Sequence, residues 1–187
     1  MNHPSRRDFL FAAAPLALIP VTALAALNAC SGTADMSNAT GGSPAGGQAV
    51  RKLDKPHAEW KTVLSEGQYD VLFNDATERA GSSALDVEKR TGIFVCAACH
   101  LSLFESSAKF DSGTGWPSFY QPIAGHVETR RDFKLIWPRT EYHCARCGGH
   151  QGHIFADGPK PTGKRYCNNG IALRFVPAGE TVPPLRG

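Results

Sequence analysis

The six cysteines of this chain fall into three kinds by their spacing. Four stand in two C-x-x-C pairs, Cys96-Ala-Ala-Cys99 and Cys144-Ala-Arg-Cys147. A two-residue gap lets both thiolates of one turn face a single point, and two such turns supply four sulfurs to one tetrahedral zinc. Four protein ligands close the shell. Cys96, Cys99, Cys144 and Cys147 are therefore expected to hold one structural Zn2+ per chain, not a catalytic ion with an open position. Gly148 and Gly149 follow the second pair and suit a tight turn with positive φ. The 44 residues between the pairs exceed the usual ribbon spacing. Disulfides are the competing reading in an oxidising compartment. His100 and His143 flank the pairs and are expected to pack beside the site.

Cys167 stands apart, in "KRYCNN". A thiolate is the nucleophilic form of cysteine, and a nearby cation favours it. Arg165 is a permanent cation two residues away, with Asp157 placed to orient it. Positions 165, 167 and 169 point the same way along an extended strand. His150 and His153 can donate a proton near neutral pH. Asn169 can hydrogen-bond a polar oxygen, and Trp116 and Phe155 can wall an apolar pocket. Each residue alone has an ordinary structural reading. Their grouping around a cysteine that the metal pairs do not need points to thiol chemistry.

Three stretches make the pattern specific: "FDSGTGWPSFYQPI", "RCGGHQGHIFADGPKPTGKRYCNN" and the two C-x-x-C pairs. Together they resemble the methionine-R-sulfoxide reductase family of the MsrB type, over about Lys52 to Val176. The resemblance implies a mainly β fold, a β-tent of two antiparallel sheets with a structural zinc. It implies reduction of the R epimer of methionine sulfoxide, in proteins or free, and so repair after oxidation. By the same match Cys167 is the nucleophile that becomes a sulfenic acid. His153, assisted by His150, serves the sulfoxide oxygen. Trp116 contacts the substrate methyl, and Phe155, Asp157, Arg165 and Asn169 complete the site. The implied partners are oxidised proteins or peptides and a thioredoxin-like or other thiol reductant.

Two positions depart from the family pattern. Thr114 stands where many members carry a resolving cysteine, so an external reductant is expected to restore Cys167. Cys30 on its tether and a metal-pair cysteine are the other routes. Gln151 stands where an apolar residue is common, a change expected to have little effect. Two rivals are weighed against the enzyme. One is a non-catalytic zinc-ribbon binding module with an inert Cys167. The other is a disulfide oxidoreductase, which needs a metal-free C-x-x-C.

These residues need a scaffold. "GIFVC", "FKLIWP", "EYHC", "GHIF" and "IALRFV" are short, rich in aromatic and branched residues, and punctuated by Gly and Pro. Phe133, Leu135 and Trp137 are expected to share one strand face, as are Ile171, Leu173 and Phe175. Upstream, Trp60, Val63 and Leu64 are at helical spacing, Gly67 is expected to end that helix, and Val71, Leu72 and Phe73 suit a second short one. The sum is a small antiparallel β domain, residues 51–187, with an N-terminal helical cap.

The net charge of +3 is too small to argue for nucleic acid, and 42% hydrophobic content fits a globular chain. Residues 1–29 read as an export signal. Arg6-Arg7 precede a run from Phe9 to Leu27 without charge, and the pattern S-R-R-x-F-L resembles a twin-arginine signal. Two cleavage points compete. "LNAC" resembles a lipobox that would lipidate Cys30, and "ALA" at 23–25 is an ordinary small-residue site. Residues 30–50 read as a flexible Gly/Ser/Ala tether. A monomer in the periplasm or cell envelope, tethered to membrane through Cys30, is the expectation. A twin-arginine route carries folded proteins, so zinc would be loaded before export.

Overall fold

The computed structural model describes residues 50–133 and 138–187. The leader and most of the tether lie outside these residues.

The described chain enters through a 3-10 turn, His57–Thr62, and then α1 (Glu66–Asn74). Ser65 starts the helix with a reciprocal capping box. Its hydroxyl accepts from the Gln68 N–H and its own N–H donates to the Gln68 side chain. Gly67 therefore lies in the first turn of α1 and ends nothing, because the capping pair around it outweighs the glycine. Asp75 closes the helix in the left-handed conformation, φ 52°. Trp60, Val71 and Leu72 are buried, whereas Val63 points outward.

Nine strands follow. β1 (Gly92–Cys96), β2 (Ser102–Glu105) and β9 (Leu173–Pro177) form a sheet in the order β2-β1-β9. β3 (Lys109–Phe110), β4 (Ser118–Phe119), β5 (Val127–Asp132), β6 (Arg139–Cys144), β7 (His150–Phe155) and β8 (Arg165–Asn168) form the second, in the order β3-β4-β8-β7-β6-β5. Every pairing is antiparallel. The expected two antiparallel sheets under a short helical cap are present.

Aromatic rings join the sheets. Phe104 of β2 stacks on Phe119 of β4 with centroids 4.1 Å apart, and meets Tyr142 and Tyr166 edge-on. Phe94 of β1 meets Phe119 at 5.0 Å. All of these rings are buried. Offset and edge-on pairs of this kind add to the gain from burial itself.

One strand expectation lies outside the described residues and one needs correction. In "FKLIWP" residues 134–137 lie outside the described set; β5 ends at Asp132, and Phe133 just after it is exposed. Ile171 belongs to a 3-10 turn, Gly170–Ala172, and not to the face of β9.

Candidate active site and metal centre

The metal pairs sit in two turns, one from each sheet. Cys96 ends β1 and Cys99 follows it. Cys144 ends β6 and Cys147 lies in the turn to β7. Gly148 takes φ 72° there, the conformation expected of that turn. Cys96 Sγ is 3.7 Å from Cys147 Sγ, and Cys99 Sγ is 3.5 Å from Cys144 Sγ. A disulfide needs about 2.0 Å, so the sulfurs are not bonded to one another. Four sulfurs at about 2.3 Å from one tetrahedral ion stand about 3.8 Å apart. The four here are buried, and all lie within 4.8 Å of one another.

Their charges favour the same conclusion. Crowding by Cys144, Cys147 and Cys99, with burial, holds the Cys96 thiol well above its ordinary range, and Cys144, with Cys99 and burial, holds Cys147 up against an opposing bond from Cys96. Bonds from its neighbours pull Cys99 down. Without a cation the set ionises only in part; a dication relieves the repulsion. His100 packs beside the centre, with Nδ1 at 3.0 Å from the Pro184 carbonyl. His143 lies 3.5 Å from Glu128. Neither joins the sulfur group. Asp75, Glu141 and His150 also lie close enough to hold an ion. There Arg130 already supplies the cation, bonded to both Asp75 and Glu141.

The second site is a row of side chains across the larger sheet. Arg130 pairs with Glu141, Glu141 with His153, His153 with Cys167, and Cys167 with Ser118. Directly opposed residues in an antiparallel ladder show their side chains on the same face, about 5 Å apart. The ladder thus places His153 beside Cys167. Gly152 permits this: a Cβ there would sit 1.9 Å from the Cys167 carbonyl oxygen. One step along the same face come Phe155 and Arg165, also paired in register. The Arg165 guanidinium lies 4.3 Å over the Phe155 ring and makes two bonds to Asp157, of 2.9 and 2.8 Å.

His150 reaches this face through a bulge. Residues three apart on a regular strand face opposite ways. The pairing of β6 with β7 shifts between Tyr142 and His143, so that Gln151 is an extra residue. The His150 and His153 rings then meet edge-on at 5.4 Å. Each is held by a carboxylate. His150 Nδ1 is 2.8 Å from Glu141, and His153 Nε2 is 2.8 Å from Asp132, which also accepts from Arg139 at 2.7 Å. Burial pushes the His153 pKa down, and the Asp132 bond restores only part of that. Burial alone would raise Glu141, but the His150 and Arg130 bonds outweigh it and hold the carboxylate ionised. The histidines line a cleft of about 420 Å³ on the β5–β6 side, with Cys167 on the opposite flank of His153.

Burial also decides the state of Cys167. It pushes the thiol above its ordinary value; Arg165 and the Thr114 hydroxyl pull it back only partly. The cation effect expected from Arg165 is present but smaller than desolvation, and the Asp157 charge paired with Arg165 works slightly against it. Thr114 belongs to a hydroxyl cluster in which Ser112 lies 2.8 Å from both Thr114 and Ser118.

Trp116 and Asn169 are placed by a residue that sequence reasoning missed. The Glu78 carbonyl accepts from the Trp116 indole at 3.2 Å, its N–H donates to Asn169 Oδ1 at 3.1 Å, and its carboxylate accepts from the N–H groups of Gly170 and Ile171. Asn169 is buried just past the end of β8, and its Nδ2 donates to the Gln151 carbonyl at 3.0 Å. Asp132, Glu141, Arg130 and Arg139 were missed as well, because charged residues at such positions read as an ordinary solvated surface.

A SelR domain profile matches residues 64–177. The chain belongs to the SelR/MsrB family. Its relatives carry the name peptide methionine sulfoxide reductase MsrB. The Methanosarcina mazei protein is 47% identical over 134 residues, which are 71% of this chain and 96% of that one. The Bradyrhizobium diazoefficiens protein is 51% identical over 127 residues, 67% of this chain and 91% of that one. The Pseudomonas entomophila protein is 48% identical over 130 residues, 68% and 98% of the two chains. The SelR match contains the four metal-centre cysteines, Trp116, both histidines, Phe155, Asp157, Arg165, Cys167 and Asn169.

Proposed function

We propose that this chain is a thiol-dependent peptide methionine sulfoxide reductase that acts on the R epimer and repairs oxidised proteins. The observation that carries the reading is the ladder pair His153–Cys167, an acid and a thiol held side by side on one face of a family sheet. Trp116 and Phe155 receive the substrate methyl group, and His153, with His150, faces the oxygen.

The chemistry follows from the charge states. With Nε2 of His153 against Asp132, the carboxylate stabilises the imidazolium, which is the form able to donate a proton. Moving the proton from the Cys167 thiol to His153 creates the reactive ion pair. The thiolate attacks the sulfoxide sulfur while His153 protonates its oxygen. The oxygen passes to Cys167. Methionine leaves reduced by two electrons, and Cys167 is left as a sulfenic acid. The proton that His153 gives is the one that Cys167 lost, so the step balances.

Among the described residues the other four cysteines form the metal centre, which leaves no second thiol beside Cys167. A thioredoxin-like protein or small thiol is therefore the proposed reductant. One Zn2+ is the proposed ion of the four-sulfur centre, where it clips the turn after β1 to the turn after β6. The soft thiolate set and the closed shell support it. We further propose a monomer, residues 51–187 forming the reductase domain, exported by the twin-arginine leader and tethered through lipidated Cys30. No described helix is long and apolar enough to cross a membrane, so attachment would fall to the leader or its lipid.

The test is turnover of a peptide carrying each sulfoxide epimer, with a dithiol reductant. Wild-type protein should consume the R epimer only, and Cys167→Ser should consume neither. Full activity in Cys167→Ser would refute the proposal.

A further inference from the structure

Gln151, the extra residue of the β7 bulge, shows no surface to solvent. A buried amide is costly unless its donors and acceptor find partners. Here Nε2 donates to the Cys96 sulfur at 3.6 Å, and Oε1 accepts from Asn168 Nδ2 at 3.4 Å. The opposite orientation would set an oxygen against a metal-centre thiolate and a donor against the Asn168 donor. Chemistry therefore fixes which way the amide points. Asn168 is held in turn: its Oδ1 accepts from the Tyr142 hydroxyl at 2.6 Å, and its Nδ2 also donates to the Asn169 carbonyl at 2.8 Å. Among the described residues Gln151 is the one side chain outside the cysteine set that hydrogen-bonds a metal-centre sulfur. The apolar residue common in the family pattern would fill this space without making the bond.

We propose that Gln151 is a positioning residue for the metal centre, holding the Cys96 thiolate in the shell and lowering its reactivity toward peroxide. The inference rests on reading the four cysteines as a zinc site. A donor aimed at the thiolate stabilises its charge and withdraws electron density from the attacking lone pair. The reaction it slows is attack of the Cys96 sulfur on hydrogen peroxide. The S–O bond forms as the O–O bond breaks, the departing hydroxide takes the proton of the new S–OH group and leaves as water, the sulfur is oxidised by two electrons, and a sulfenate replaces a thiolate ligand. A protein whose substrate is made by oxidants works where oxidants are, so a guarded shell suits it.

Zinc-loaded full-length protein, Gln151→Leu and Gln151→Met would be exposed to hydrogen peroxide with a chromogenic zinc chelator present. Both variants should release zinc about five-fold faster than wild type, the scale of one ordinary hydrogen bond. Peptide mass spectrometry should find the excess oxidation on Cys96. Equal release rates would overturn the role of Gln151. Should the variants fail to fold, 113Cd-loaded wild-type protein provides the second measurement. A scalar coupling between the metal and the Gln151 side-chain amide protons supports the bond, and its absence overturns it. Purified protein without one equivalent of bound metal would instead overturn the zinc reading, and the inference with it.

Discussion

Replacing Asp132 by Asn keeps the shape of the side chain and removes the charge that holds His153. Burial depresses His153 and raises Cys167, so between their two pKa values the neutral pair, imidazole and thiol, dominates. The reactive ion pair carries the same number of protons and is a minor form. Activity should therefore be flat with pH over that window and fall on both sides. Both partners of the Asp132–His153 bond are largely buried, at 8% and 13% side-chain exposure, so solvent screens it little. A charge-assisted bond of this kind contributes about 1.5–3 kcal/mol. Arg139 shares the carboxylate at 2.7 Å, which argues for the lower part of that range. A loss of about 2 kcal/mol reduces the ion-pair population about 30-fold. For Asp132→Asn, kcat/KM on a methionine-R-sulfoxide peptide should fall by about that factor across the plateau. The sign at low pH is distinctive. Removing the carboxylate lowers the His153 pKa further, so the acid limb moves to lower pH. Below the wild-type limb both enzymes have a protonated His153, and the gap should close. A loss that is the same at every pH, or no loss, would refute His153 as the acid that Asp132 supports.

Three further outcomes follow from the geometry. Arg165→Met removes a cation that favours the Cys167 thiolate; iodoacetamide alkylation near neutral pH should slow about ten-fold and recover at high pH. Glu78→Ala leaves the Gly170 and Ile171 N–H groups without their carboxylate and should cost about 2–3 kcal/mol in chemical denaturation. The backbone carbonyl that accepts from Trp116 survives this substitution but loses the carboxylate that anchors its segment, so KM should rise more than kcat falls. Stripping the metal, or Cys144→Ser, should unfold the domain by circular dichroism, since a structural zinc contributes about 10–16 kcal/mol against an ordinary domain stability of about 5–15 kcal/mol. A metal-free domain with an unchanged melting temperature would contradict this.

The metal pairs and the Cys167 strand were legible because spacing carries their geometry: two residues between ligands, and two along a strand. β1, β6 and β7 were legible through their branched and aromatic residues. β5 was not, because "VETRRD" is an edge strand, half of it exposed, without an apolar face. That same strand brings Arg130 and Asp132 to the site, so half of the electrostatic frame was hidden with it. The state of Cys167 was misjudged for a related reason. A sequence shows that a cation is near, but burial, which decides the outcome, belongs to the packed fold. Glu78 reaches its partners across about ninety residues of chain, a relation no local pattern encodes.

The bulge at Gln151 acts as a phase slip in an otherwise regular alternation. Upstream of it the side chains keep one rhythm, and downstream they keep another. Losing that one residue would restore the regular beat and turn His150 to the other side of the sheet, with none of the candidate site residues substituted. In comparing sequences of this strand, a single gap should therefore weigh more heavily than a substitution at any one of its exposed positions.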